Sequence, residues 1–261
     1  MTSNEPKSLI GLLRAVSPEI ARCELTFLDR EPIDHARAQS QQEAYRAALE
    51  QCGVRTIMLD ADAGFPDACF VEDTAFVLDE LAVIANPGAE SRRGETVAVA
   101  HALDRFRERV FLGAPATLDG GDVLRIGRRL YVGRSSRTNA AAIEALSQLL
   151  APLRYEVIGV PVADSLHLKT ACTAIDEETL LVNPRWIPLD SFRDYRVIEV
   201  ADDEPWAANI LRIGQTLLAQ TGFPKTLERI LPHCPQVRLV DISEFRKAEA
   251  GLTCLSILFE I

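Results

Sequence analysis

Short apolar runs broken by polar turns recur along the chain: CFVEDTAFVLDELAVIANPG from Cys69, ATLDGGDVLRIGRRLYVG from Ala116, LHLKTACTAIDEETLLVNP from Leu166, WAANILRIGQTLLAQTG from Trp206 and GLTCLSILFEI from Gly251. Aliphatic and β-branched residues flank an Asp-Glu, Gly-Arg or Gly-Gln turn, which predicts a hairpin in each. The starts lie roughly 40 to 50 residues apart, a period of propellers and solenoids. Between the runs the apolar spacing becomes helical. Helices are predicted from about Asp34 to Cys52 with a stop at Gly53, from Ser91 to near Arg109, and from Thr138-Asn139 to before Pro152. Each opens on a capping type of residue. A shorter helix follows Pro224, a residue suited to a first turn. The last run lacks a second strand, and the N-terminal SLIGLLRAV would supply it and close the ring. The expected fold is α/β: a five-bladed α/β propeller with pseudo-fivefold repeats, formed by a single domain over residues 1–261.

Charge and composition narrow the partners. The chain has 38 acidic against 28 basic residues, a formal net charge of −10. Such a surface repels phosphate backbones, so no nucleic acid and no anionic membrane is expected. No apolar run approaches the roughly 18 residues that span a bilayer. The start, MTSNEPKSLIGLLRAV, lacks the charged and apolar regions of a leader, so a cytoplasmic protein is expected. The cysteines at 23, 52, 69, 172, 234 and 254 show no paired spacing, which fits free thiols in a reducing compartment.

Pseudo-symmetry gives the polar residues their interest. Glu72 and Asp73, Asp119 and Asp122, His167 and Lys169, Asn209 and Cys254 fall at the starts of successive first strands. Equivalent positions of a closed ring meet at its hub. A thiol there needs an imidazole or a cation to become a nucleophile. Taken alone, Cys254 reads as core filling and His167 as a structural histidine; their equivalence in the repeat favours chemistry. A carboxylate such as Asp119 fixes the tautomer of an imidazole, although Asp-Gly-Gly also reads as an ordinary turn. Asp122 reads as a structural partner. Glu72 and Asp73, adjacent inside an apolar strand, need a cation: Lys169 or Arg185 within the chain, or a bound guanidinium. Asp67 reads as turn chemistry or as cover for an amino group. Arg92 and Arg137 read as holders of a carboxylate or as solvated helix starts.

The segments FPDACFVEDTAFV, NPGAESRRGE, ATLDGGDVL, GRSSRTN, VADSLHLKT, AAN and GLTCLSILF resemble, in order and spacing, the dimethylarginine dimethylaminohydrolase family of the pentein superfamily. The resemblance covers nearly the whole chain. It implies Cys254 as nucleophile, His167 as general acid and base, and Asp119 as its orienting carboxylate. It implies Asp73 on a guanidinium with Glu72 beside it, Asp67 on the substrate amino group, and Arg92 and Arg137 on its carboxylate. A lid leucine, Leu25 or Leu28, belongs to the CELTFLDREPID region. One position departs: the family commonly has Asp five residues before the nucleophile, and here stands Glu249. Its extra methylene brings the carboxylate to where a methylated nitrogen would sit. The implied activity is hydrolysis of a guanidino C–N bond of an arginine derivative, giving citrulline and an amine through a covalent thiouronium. No cofactor and no metal are expected; a small-molecule guanidine is the expected partner, and a homodimer is allowed for. The competing expectations are another pentein hydrolase or deiminase, an amidinotransferase, and a non-catalytic propeller. A metal-dependent guanidine hydrolase would want clustered ligands such as DxHxD, which the sequence lacks.

Overall fold

The computed structural model describes residues 8–234 and 236–261. The first seven residues, on which part of the leader expectation falls, lie outside it. The chain runs β1 (Leu9–Arg14), α1 (His35–Gln51), β2 (Arg55–Leu59), β3 (Ala75–Val77), β4 (Leu81–Ile84), α2 (Thr96–Leu103) and β5 (Glu108–Phe111). It continues through β6 (Val123–Ile126), β7 (Arg129–Arg134), α3 (Ala140–Leu150), β8 (Glu156–Pro161), α4 (Leu168–Ala171), β9 (Cys172–Ala174), β10 (Thr179–Val182) and β11 (Arg196–Glu199). It ends with β12 (Leu211–Ile213), β13 (Thr216–Gln220), α5 (Pro224–Ile230), β14 (Val237–Val240), α6 (Ser243–Arg246) and β15 (Ile257–Glu260).

These strands form five three-stranded sheets, the blades of an α/β propeller. In each blade the middle strand pairs antiparallel with the first and parallel with the third. The antiparallel pair is the hairpin read from the sequence. The parallel third strand requires a crossover. In three blades that crossover contains α1, α2 or α3; in the fourth it contains a single turn at Leu189–Phe192, and in the fifth α5. β1 completes the last blade by pairing with β15, Leu9 opposite Glu260 and Leu12 opposite Ile257, which closes the ring as expected.

The helices start where their capping chemistry puts them. Asp34 accepts from Arg37 N and Asn139 from Ala142 N, each satisfying an end amide of its helix. Gly53 ends the first helix at φ +84°, a conformation glycine adopts without strain. The helix expected from Ser91 to Arg109 is shorter than that. Residues Glu90–Glu95 form a 3₁₀ turn, α2 ends at Leu103, and Glu108–Phe111 is a strand.

The apolar core is divided into five clusters, each between neighbouring blades. Burial of aliphatic area between the blades holds the ring together and leaves the hub to polar groups. The polar positions expected at strand starts lie one step earlier. They sit in or beside single helical turns at Val71–Thr74, Gly120–Asp122, Leu168–Ala171, Pro205–Ala208 and Thr253–Leu255. The apolar residues of these turns pass into the following strand without a break, so the pattern reads as one strand. The turns pack on one another: Val71–Thr74 meets both Gly120–Asp122 and Thr253–Leu255, and Leu168–Ala171 meets Gly120–Asp122 and Pro205–Ala208.

Candidate active site

Each turn delivers one side chain or pair to the hub. His167 caps the turn that begins α4 and is buried. Its Nε2 lies 3.0 Å from Asp119 Oδ2, and its Nδ1 lies 3.7 Å from Asp73 Oδ1. Asp119 is anchored by its other oxygen, which accepts from Gly88 N at 2.9 Å. The imidazole therefore spans two carboxylates from two different blades. The glycines of LDGGD permit the approach. A Cβ on Gly121 would fall 2.5 Å from His167 Nδ1 and 2.7 Å from Asp73 Oδ1, and one on Gly120 would fall 2.0 Å from Glu72 O.

Asp73 is the central acceptor. Its Oδ1 receives Gly121 N at 3.1 Å, and its Oδ2 receives Arg92 Nη1 at 2.6 Å. Glu72 is bound on both oxygens: Oε1 by Lys169 Nζ, and Oε2 by Thr253 Oγ1 at 2.7 Å. Thr253 also receives Asn209 Nδ2 at 3.0 Å and precedes Cys254. Cys254 is buried, and its Sγ accepts from Gly251 N at 3.4 Å. Glu72 thus fixes the turn that carries the thiol, while Asp73 faces the imidazole.

The charges of this cluster set its protonation. Burial alone would lower the pKa of His167; the Asp73 charge, the Asp119 hydrogen bond and Asp122 outweigh it and raise the imidazole to about 9. Burial also acts against Asp73 as an anion, but His167 and Arg92 hold it below the usual carboxylate range. Burial, reinforced by Glu72 and Asp73, pushes the Cys254 thiol well above its ordinary value. The His167 and Cys254 shifts both favour an imidazolium and a protonated thiol in the unliganded site at neutral pH.

The remaining expected residues fall into two groups. Glu72 pairs with Lys169, one of the two internal cations considered, whereas Arg185 bonds Asp202 at the surface. Asp122 accepts from Ser135 Oγ at 2.6 Å and Leu168 N at 2.8 Å, a structural role that positions α4. Arg92, expected on a substrate carboxylate, is 4% exposed and binds Asp73, Glu95 and the carbonyls of Asp67 and Phe70. The geometry makes it a support behind Asp73. Arg137 is half-buried, and its Nη2 reaches Thr26 Oγ1 at 3.2 Å. Asp67 accepts from Glu24 N through both oxygens, at 3.2 and 3.1 Å. Glu249 Oε1 accepts from the backbone N–H groups of Thr26, Phe27 and Leu28. Asp67, Arg137 and Glu249 are all engaged by one segment, residues 24–28, the expected lid. Within it Leu25 packs on the core and Leu28 borders a cavity of about 440 Å³ beside Glu249 and Gly251.

Thr253 and Glu95 support the site and had no part in the sequence reasoning. The Arg92–Glu95 spacing, i to i+3 on a helical turn, was a usable signal for the second. Thr253 carries no such signal, since a threonine beside a cysteine is unremarkable. Ligand-type atoms of Asp73, Asp119 and His167 lie within 4.8 Å of one another, a spacing that a metal also uses. The hydrogen bonds already described account for that closeness: Asp73 receives Gly121 and Arg92, and Asp119 receives Gly88 and faces the imidazole.

Comparison with known proteins gives this geometry a context. Residues 25–215 match the model of a family described as N,N dimethylarginine dimethylhydrolase, eukaryotic. The chain is 41% identical over 250 residues to the N(G),N(G)-dimethylarginine dimethylaminohydrolase of Streptomyces coelicolor, covering 95% of each chain. It is 36% identical over 233 residues to the Pseudomonas aeruginosa enzyme of that name, covering 87% of this chain and 90% of the other. A solved structure of a Pseudomonas aeruginosa enzyme, a cysteine-to-serine mutant complexed with citrulline, superposes with a TM-score of 0.92 at 32% identity, over 96% of this chain and 98% of that one.

Proposed function

The chain belongs to the dimethylarginine dimethylaminohydrolase family, and from that premise we propose that it hydrolyses the guanidino C–N bond of an N-methylated arginine, giving citrulline and a methylamine. The observation that carries this reading is the meeting of an imidazole, a thiol-bearing turn and the Glu72–Asp73 pair at one hub, each from a different part of the chain.

Asp73 supplies the anionic oxygen for a flat cation, and Arg137, whose guanidinium reaches Thr26 Oγ1 and acts on the Asp67 carboxylate without an ion pair among the described residues, receives the substrate carboxylate. The guanidinium brings positive charge to the thiol that burial, reinforced by Glu72 and Asp73, keeps protonated. Cys254 then loses its proton to solvent as the thiolate forms. Its lone pair adds to the guanidinium carbon, and the π pair moves onto nitrogen. The His167 imidazolium gives its proton to the methylated nitrogen, the C–N bond breaks with its pair on that nitrogen, and the amine leaves a thiouronium on sulfur. The neutral imidazole next takes a proton from water. The oxygen adds to the same carbon, the C–S bond breaks with its pair on sulfur, and the remaining O–H proton is lost as the urea carbonyl forms. Fixed carboxylates and proximity supply the rate acceleration.

The test is citrulline release from dimethylarginine by the parent and by Cys254→Ser, with folding checked by circular dichroism. Turnover by the parent and none by a folded Cys254→Ser supports the reading. Retained turnover in that variant refutes the role of the thiol.

A further inference from the structure

Three hydrogen bonds converge on the side chain of Asn209, a buried residue at the end of the turn Pro205–Ala208 that leads into β12. Its Nδ2 donates to Lys169 O at 2.9 Å and to Thr253 Oγ1 at 3.0 Å, and its Oδ1 accepts from Thr253 N at 3.1 Å. Both amide protons are used. The opposite orientation would set the NH₂ group against Thr253 N, donor facing donor, so the bonds to Thr253 fix the amide. The Thr253 hydroxyl, having accepted from Asn209, gives its own proton to Glu72 Oε2 at 2.7 Å, and the other oxygen of Glu72 binds Lys169 Nζ. A closed ring of hydrogen bonds results, from Lys169 O through Asn209, Thr253 and Glu72 back to Lys169.

Close packing adds an independent observation. A Cβ on Gly251 would fall 2.3 Å from Asn209 Cγ and 2.4 Å from its Oδ1, so the amide rests on a bare Cα. Gly251 N is the donor that meets Cys254 Sγ, at 3.4 Å. One side chain therefore holds both the residue that faces the sulfur and the residue that precedes it in the chain. Its third partner, Lys169, belongs to α4, the turn that His167 opens. The hydrogen bonds of Asn209 reach neither Asp73 nor Arg137, the groups that the hydrolytic reading places on the substrate.

We propose that Asn209 is a positioning residue of the reaction: its amide ties the turn that carries the thiol to the turn that carries the imidazole, and keeps Gly251 N on the sulfur. The inference rests on the hydrolytic reading above for its reaction, and on the unliganded geometry for its tie. The bond between sulfur and the guanidinium carbon is made once and broken once in each turnover, and both steps need the sulfur and the imidazole at a fixed separation. Loss of the tie leaves the substrate-binding groups in place. It therefore lowers kcat and spares KM. A purely architectural asparagine would instead lower the folded fraction and leave turnover per folded molecule as it was.

The test uses Asn209→Ala, which removes the amide, together with Thr253→Val, which removes the hydroxyl, and Thr253→Ser, which keeps it. Folded fractions are measured by circular dichroism, kcat and KM with dimethylarginine, and backbone amide exchange on the free protein. Per folded molecule, Asn209→Ala should lower kcat about tenfold to 10²-fold and leave KM within about threefold. Exchange at Thr253 N, which loses its acceptor, should speed about fivefold or more. Thr253→Val should lower kcat in the same way, and Thr253→Ser should recover most of that loss. Parent-like kcat in folded Asn209→Ala, a loss confined to KM, or a Thr253→Ser as slow as Thr253→Val overturns the proposal. Should Asn209→Ala not fold, the Thr253 pair decides by the same criterion. If the parent does not hydrolyse dimethylarginine, the hydrolytic reading falls, while exchange at Thr253, taken without any guanidine, still judges the tie: a parent-like rate in Asn209→Ala overturns it.

Discussion

Replacing Asp119 by Asn probes how the imidazole is charged. Asp119 is fully buried, with Oδ1 on Gly88 N at 2.9 Å and Oδ2 3.0 Å from His167 Nε2. In Asp119→Asn the amide oxygen keeps the Gly88 bond, which turns the amide nitrogen toward Nε2. Two N–H groups cannot face one another, so Nε2 must give up its proton and the imidazolium is disfavoured. A hydrogen bond to a charged group is worth about 1.5–3 kcal/mol, and one pKa unit corresponds to about 1.4 kcal/mol. The imidazole, held at about 9 in the parent, should fall by roughly one to two units. It stays above the value of a lone buried histidine because Asp73 and Asp122 remain. With less of the ring charged and able to give its proton to the leaving nitrogen, kcat should drop about 10²- to 10⁴-fold. Stability changes in step. A histidine raised from 6.5 to about 9 stabilises the fold fully below the lower value, and that contribution is lost as pH rises through the upper one. The window carries about 3 kcal/mol in the parent, and Asn should flatten the decline. The assays are NMR titration of the His167 ring, denaturant unfolding at several pH values across that window, and citrulline release. A ring that titrates as in the parent, with kcat within about threefold, would refute the reasoning.

Further expectations concern the groups around this pair. Lys169→Met leaves the Glu72 carboxylate buried without its cation and should cost about 3–5 kcal/mol at neutral pH in denaturant unfolding. Burial already raises the Glu72 pKa against the pull of Lys169, so the loss should shrink as pH falls and the carboxyl takes up a proton. Gly121→Ala drives a methyl into His167 Nδ1 and Asp73 Oδ1 and should reduce kcat about 10²-fold or more, as displacement of the reacting groups does. Arg137→Ala should raise KM for arginine derivatives roughly tenfold or more, the value of a charge-assisted bond, while a guanidine without a carboxylate shows no change.

The propeller was legible because the hairpins repeat, and their turns carry Asp-Glu, Gly-Arg and Gly-Gln pairs at similar intervals. The outer strands were not. RTIML, ERVF and RVIE are short, lie at sheet edges and carry charges, so they resemble loops. Cys254, His167, Asp119 and Asp73 could be gathered from the sequence because pseudo-symmetry substitutes for proximity. Their placement on helical turns could not, since Val71 and Leu255 are as apolar as the strands they precede. Arg92 shows the limit of residue-type reasoning. An arginine opening a helix looks available, but Glu95 one turn on and Asp73 across the hub claim it. The engagement of Glu249 with amides more than 200 positions away leaves no trace in local pattern.

The account stands on covalent chemistry at one sulfur. Acid quenching during turnover of dimethylarginine, followed by mass spectrometry of the peptide that carries Cys254, tests it most directly. The account predicts an amidine adduct on Cys254, of the mass of the arginine skeleton after loss of dimethylamine, that decays as citrulline appears. Steady citrulline production with Cys254 unmodified at every quench time, and the same production from Cys254→Ser, would contradict it.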